Sequence, residues 1–322
     1  MKRIVKIITL FIVIFAIAIG AILLSKNSHE QNDKISIVAT NFPAYDFVRA
    51  VVGDVANVKM LVKPGAETHD FEPTPQDIID IQNSKLLVYT GGESDEWIKD
   101  ILGDIDTTRT QLLAMTDVVE VKEKEIIEGM ENTEDQEEKV NHEEEVEYDE
   151  HVWTSLFNAS KIVAAIKDKL IEISPEKRSV YEENAKNYID ILTNLDTRFQ
   201  EVVKTSDRKT VIFGDRFPLR YFVDDYDLSY FGALPGCSEQ TEASSRTIAF
   251  LIDKVKSEQI PVIFKIELSS GKVAQTIANE TGAKILTFNS AHNISAEDFK
   301  NGITYATIME HNLEALSEAL RS

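Results

Sequence analysis

The chain is poor in cysteine, in basic charge and in the short motifs of energy conversion. Among 322 residues there is one cysteine, Cys237. It excludes an internal disulfide framework and a Cys-rich zinc module. A lone cysteine is more often a small buried residue than a ligand, and Cys237 is given no role. Lys and Arg number 34 against 55 Asp and Glu, a formal net charge of −21. Nucleic acid and anionic membrane surfaces call for basic patches, so this balance argues against both. No GxxxxGK[ST] is present, so no P-loop is expected. No two histidines have the spacing of an HExxH helix, so any metal site must be assembled from distant loops. The hydrophobic share of 43% is too high for a disordered chain. The length allows one large core or two lobes of roughly 100–150 residues each.

What charge there is sits unevenly. Residues 121–150 carry 14 acids against Lys122, Lys124 and Lys139, a net −11. About half of the acidic excess is therefore one segment, inside which lies His142. Like-charge runs of this kind are normally solvated and disordered. At the other extreme, Met1-Lys2-Arg3 and Lys6 precede an apolar run from Ile7 to Leu24. A basic start and an apolar run read as a signal anchor, with a cleaved signal as the alternative. The positive-inside rule then puts everything after Leu24 outside the cytoplasm.

Beyond a polar spacer, β-rich and helix-periodic stretches alternate. Residues 34–40, 55–62 and 85–90 read as strands, 44–52 and a segment opening at Thr74-Pro75 as helices. Residues 151–173 read as a helix. From Ser174-Pro175 to Val203 there is neither Gly nor Pro, and one apolar face runs throughout. At 1.5 Å per residue such a helix is roughly 45 Å long, enough to connect two lobes. A second alternating block follows: strands at 210–213, 261–266 and 284–288, helices at 247–258, 272–281 and 305–320. Gly282 is placed to stop its helix. The expected fold is α/β, with two lobes of mostly parallel sheets joined by one long helix. The boundaries are 1–33 for anchor and spacer, 34–173 for the N-terminal lobe with the acidic loop 121–150, 174–204 for the linking helix, and 205–322 for the C-terminal lobe.

In open α/β sheets, ligands bind beyond the carboxyl ends of strands. Two of the six histidines sit in such loops: His69, after the strand ending at Val62, and His292, after the strand ending at Phe288. His151 opens a helix after the acidic loop. His29 lies in the spacer, and His311 in the last helix reads as a surface or packing residue. Neutral imidazole suits zinc and its neighbours.

The neighbouring sequence narrows this. "VATNFPAYDFVRAVVGDVANVKMLVKPGAETHDFEPTPQDI", "VYTGGESDEWI", "DEHVWTSLFNA", "VIFGDRFPLRYF" and "VIFKIELSSGKVAQTIANETGAKILTF" resemble the zinc- and manganese-binding proteins that deliver metal to ABC importers (solute-binding family 9, cluster A-I). The most specific element is Pro-Gly-x-x-x-His-x-x-Glu-Pro-x-Pro-x-Asp, followed in the right order by "DEHVW". The resemblance implies two α/β lobes joined by a long helix, with the metal between them. It places the first two ligands on His69 and His151. The third falls on Asp215, where zinc members often have His and manganese members Glu. A helix cap or a salt bridge with Arg216 or Arg220 is the alternative for Asp215. The fourth, commonly Asp, falls on Asn289, a departure from the pattern. His292 would supply the missing nitrogen if its loop bends inward, and Glu267 is a weaker candidate.

With Asn289 in place of a carboxylate the site lacks the hard oxygen that manganese prefers, so Zn2+ is expected over Mn2+. The acidic loop would act as a cation antenna or as a solvated insertion without a role. The implied function is an extracytoplasmic, membrane-attached, monomeric receptor for a divalent metal ion that docks on permease and ATPase subunits. The rivals are a zinc hydrolase, with Glu67, Glu72 or Glu267 as base, and a surface adhesin.

Overall fold

The computed structural model describes residues 34–66, 68–69, 71–130, 147–236 and 243–321. The N-terminal apolar run with His29, most of the acidic run with His142, and also Glu67 and Cys237 lie outside the described residues. Among the described residues no helix is long and apolar enough to cross a membrane.

Two four-stranded parallel sheets organise the chain. The first comprises β1 (Ile35–Ala39), β2 (Ala56–Met60), β3 (Leu86–Tyr89) and β4 (Gln111–Ala114), in the order β2-β1-β3-β4. The second comprises β5 (Thr210–Phe217), β6 (Ser229–Pro235), β7 (Val262–Lys265) and β8 (Lys284–Thr287), in the order β6-β5-β7-β8. The central strands β1, β3, β5 and β7 are mostly buried and each carries an apolar stretch (Ile37–Ala39, Leu86–Val88, Val211–Phe213, Val262–Phe264), as parallel sheets covered on both faces require.

The helices follow from local chemistry. Asn41 caps α1 (Phe42–Val52) by accepting from the Ala44 amide, with Pro43 in the first turn. Thr74 and Asp77 form a reciprocal capping box at the start of α2 (Pro75–Asn83). A short α3 (Glu96–Ile101) follows β3. Ser155 caps α4 (Leu156–Ile173). A 3-10 turn at Pro175–Lys177 leads into α5 (Arg178–Thr205), 28 residues long. Then come α6 (Arg220–Asp225), α7 (Ser245–Ser257), α8 (Lys272–Thr281), α9 (Ala296–Lys300) and α10 (Tyr305–Arg321). Gly282 ends α8 at φ 78°, the left-handed C-terminal cap its position suggests.

Between the sheets α1, α4, α5 and α10 pack into one apolar core. It includes Phe47, Trp153, Tyr188, Leu192, Phe199, Phe213, Phe288 and Tyr305, contributed by both halves of the chain. Asp46 stitches this interface. Its carboxylate accepts from Arg49 (2.6 Å), from the Tyr188 hydroxyl on α5 (2.8 Å) and from the Tyr305 amide on α10 (3.0 Å). Arg198 of α5 also grips Glu310 of α10 in a two-pronged pair.

Three differences from the sequence expectation bear on the site. The helix expected from His151 begins at Leu156, because a 3-10 turn at Val152–Thr154 and the Ser155 cap intervene. The strand expected over 210–213 continues to Phe217, with a register irregularity against β6 between Phe213 and Arg216. Asp215 is thus part of a strand and not of the loop after it. Strands β4 and β6 are additional; both are sheet edges.

Candidate metal centre

Four side chains converge where the loops of the two sheets meet. His69, Glu150, His151 and His292 each offer one donor atom, and these atoms all lie within 4.8 Å of one another. His69 comes from the loop after β2. Glu150 and His151 come from the approach to α4. His292 comes from the loop after β8, so the second sheet supplies one donor of the four.

Three of the four donors are held by contacts behind them. Asp149 Oδ1 lies 2.7 Å from His151 Nδ1 and 2.8 Å from the His151 amide. A carboxylate only accepts, so Nδ1 carries the proton and Nε2 is left as the ligand atom. Burial pushes the Asp149 carboxyl up, but His151 outweighs it and the net shift is downward. Tyr221 donates to the Asp149 carbonyl (2.6 Å), tying this segment to α6.

Glu150 is 3% exposed. Its Oε2 accepts from the Ser94 amide (2.9 Å) and hydroxyl (3.1 Å). Its Oε1 accepts no hydrogen bond and lies 3.8 Å from His69 Nε2. A buried carboxylate oxygen aimed at three imidazoles is costly unless a cation is its partner. Gly92 makes room for this carboxylate: a Cβ there would fall 2.2 Å from Glu150 Oε2 and 2.3 Å from its Cβ. Gly92→Ala is therefore expected to displace Glu150 and to cost roughly 1–3 kcal/mol of stability. Zinc titration with thermal melting checks this; unchanged affinity would show that Glu150 needs no such clearance.

The His292 ring meets His69, His151 and Trp153 at centroid separations of 5.4, 5.2 and 5.0 Å. Burial first, then the charges of His151, His69 and Arg216, hold its pKa well below the ordinary histidine range. It is therefore a neutral nitrogen donor at physiological pH. The loop reaches inward because Ala291 takes a left-handed conformation (φ 58°) and Trp153 Nε1 donates to the Ser290 carbonyl (2.9 Å). Asn293 donates to the Lys63 and Ala66 carbonyls (3.1 and 2.6 Å), joining this loop to the one that carries His69.

The model of the family described as zinc-uptake complex component A, periplasmic (ZnuA), matches residues 37–319. The chain belongs to the ZnuA family. It is 31% identical over 297 residues to the high-affinity zinc uptake system protein ZnuA of Bacillus subtilis, covering 91% of this chain and 90% of that one. It is 30% identical to the zinc-binding lipoprotein AdcA of Streptococcus pneumoniae R6 over 91% of its own length, and spans 57% of that longer relative. The crystal structure of the Zn(II)-bound ZnuA-like domain of S. pneumoniae AdcA superposes with a TM-score of 0.72 at 29% identity, covering 90% of this chain and all of that domain.

Within this ZnuA family member the expected residues divide. His69, His151 and His292 come together. Asp215 is not among the clustered donors, and the Asn289 side-chain oxygen is engaged within its own loop. Asp215 lies in β5, where its carboxylate accepts from the Arg216 amide (2.9 Å) and the Ile266 amide (3.4 Å) and stands 3.8 Å from Arg216 Nε. That is the salt-bridge alternative, with backbone contacts added. Asn289 turns its side-chain oxygen onto the Ala291 amide (2.7 Å), a local turn that shapes the His292 loop. Glu267 binds the same loop from below. Glu150 was not among the expected ligands. It sits next to His151 in "DEHVW", where it is also the last acid of the acidic run.

Proposed function

We propose that this chain is an extracytoplasmic receptor that captures zinc and passes it to the permease and ATPase subunits of an ABC importer. The observation that carries the reading is the donor set: three imidazoles and one buried carboxylate, drawn from loops of both sheets. Zinc favours four N/O donors in a tetrahedron. At Zn–N of about 2.0–2.1 Å the donors of a tetrahedron stand about 3.3 Å apart, so modest rotations close this cluster on one ion. Three nitrogens to one oxygen suit zinc better than manganese, which prefers oxygen. The names of the B. subtilis and S. pneumoniae relatives support the same ion and the same transport role. The basic-led apolar run at residues 1–24 would attach the receptor to the outer face of the membrane. His69, His151, His292 and Glu150 are the proposed ligands.

Four protein donors also argue against the hydrolase. Catalytic zinc keeps a coordination position for water, and a site filled by protein leaves none. The shared core of α1, α4, α5 and α10 favours small loop movements over wide hinge closure, and a monomer suffices for the site.

Zinc titration against a competing chelator is expected to give one ion per chain, bound much more tightly than micromolar and more tightly than manganese. Binding should weaken on acidification, because protons compete for the imidazole nitrogens. An absence of sub-micromolar zinc binding at neutral pH would sink the receptor reading.

A further inference from the structure

We infer that Glu267 is the positioning residue for His292: its carboxylate sets the loop that presents the second sheet's donor to the ion. This rests on the proposed zinc site and adds to it how one ligand is held.

Glu267 follows β7, one strand away from the loop it grips. Its Oε2 accepts from the Ser290 amide (2.7 Å), and its Oε1 accepts from the Ser290 hydroxyl (2.6 Å) and the His292 amide (3.2 Å). Between those two amides stands Ala291, in the left-handed conformation at φ 58°. That conformation turns neighbouring N–H groups to one side, forming a concave nest for an anion. Here the anion is supplied by the protein itself. Removal from water pushes the Glu267 pKa up, and the Ser290 and His292 hydrogen bonds pull against that shift.

Other contacts hold the loop elsewhere. Asn312 takes both backbone groups of Asn289 (2.8 and 2.7 Å), and Trp153 takes the Ser290 carbonyl. Glu267 is the side chain from outside the loop that binds the amide of the ligand residue. Two backbone donors meet two different carboxylate oxygens, which makes the chemistry exacting. A Gln at this position would set its NH2 group against one backbone N–H, and no rotation removes the conflict. An Asp would be one methylene too short.

The test is a double-mutant cycle on the full chain, read by zinc affinity through chelator competition and by the absorption spectrum of the Co2+-substituted protein. Glu267→Gln is expected to lower zinc affinity by about 10–100-fold, the usual cost of losing a group that orients a ligand. The Co2+ spectrum should change with it, while far-UV circular dichroism stays unchanged. In the His292→Ala background the same substitution should cost less than about threefold, because the residue it positions is gone. If Glu267→Gln does not fold, Ser290→Ala removes the 2.6 Å contact to Glu267 together with the weaker hydroxyl contact to the His292 amide (3.3 Å), leaves both backbone contacts to Glu267, and should show the same dependence on His292 with a smaller loss. Affinity within twofold of wild type for the folded variant, or an equal loss with and without His292, would overturn the inference. Wild-type protein that binds no zinc would instead overturn the functional reading on which it rests.

Discussion

Glu150→Gln and His292→Ala should each lower zinc affinity by more than about 100-fold, beyond the usual cost of disturbing an orienting partner. Asp215→Asn should change it by less than about tenfold. The contrast is informative because family resemblance favours Asp215, whereas the geometry favours Glu150. Glu150 Oε1 is buried, accepts no hydrogen bond and lies 3.8 Å from His69 Nε2. Both oxygens of Asp215 already serve backbone amides of β5 and of the segment after β7. Gln at position 150 keeps the size and the Ser94 contact while removing the charge that compensates the ion. Chelator competition on the three variants at neutral pH decides the matter. Wild-type affinity in Glu150→Gln, together with a large loss in Asp215→Asn, would return the oxygen ligand to β5.

The second large effect is on folding. Asp46→Ala should destabilise the metal-free protein by roughly 3 kcal/mol, since two buried donors lose their acceptor at about 1–3 kcal/mol each. Those donors are the Tyr188 hydroxyl and the Tyr305 amide, from the linking helix and the last helix. Tyr188 and Tyr305 are 9% and 0% exposed, so water cannot readily replace the carboxylate. Arg49 has a side chain 38% exposed and can turn to solvent, so its lost ion pair adds little. Urea unfolding should show a lower midpoint with an unchanged slope. An unchanged midpoint would mean that the Asp46 contacts add nothing to the other packing of these helices.

How much of this could be read beforehand differs between fold and site. Capping boxes, Pro-led helix starts and apolar strand runs are local signals, and α2, α8 and the long α5 were legible from them. The strands β4 and β6 were not. The first is four residues at a sheet edge, and the second, "SYFGALP", contains Gly and Pro, which count against a strand. His69 and His151 were legible through resemblance, and His292 through its place after a strand. The proposed role of Glu150 was not legible, because the placement of its carboxylate depends on Gly92 and Ser94, more than fifty residues away. Asp215 shows the converse. A motif aligns it with a ligand, but the strand runs four residues further than expected and the carboxylate accepts from the Arg216 and Ile266 amides.

The strands of chain on either side of the acidic run are fastened together. Glu123 and Tyr148 form an antiparallel bridge, the Lys124 amide donates to the Glu147 carbonyl (2.8 Å), and the Asp149 amide donates to the Lys122 carbonyl (2.8 Å). Lys124 adds ion pairs to Glu93 and Glu147 (2.7 and 3.0 Å). The stem ends one residue before Glu150 and His151. It therefore works as a clamp that separates the proposed metal ligands from whatever length of chain is inserted above it. Loop-closure entropy rises only logarithmically, about 0.6 kcal/mol for each doubling of length. The acidic segment is thereby free to lengthen, shorten or change composition over generations at little thermodynamic cost, while the histidine beside it keeps its place.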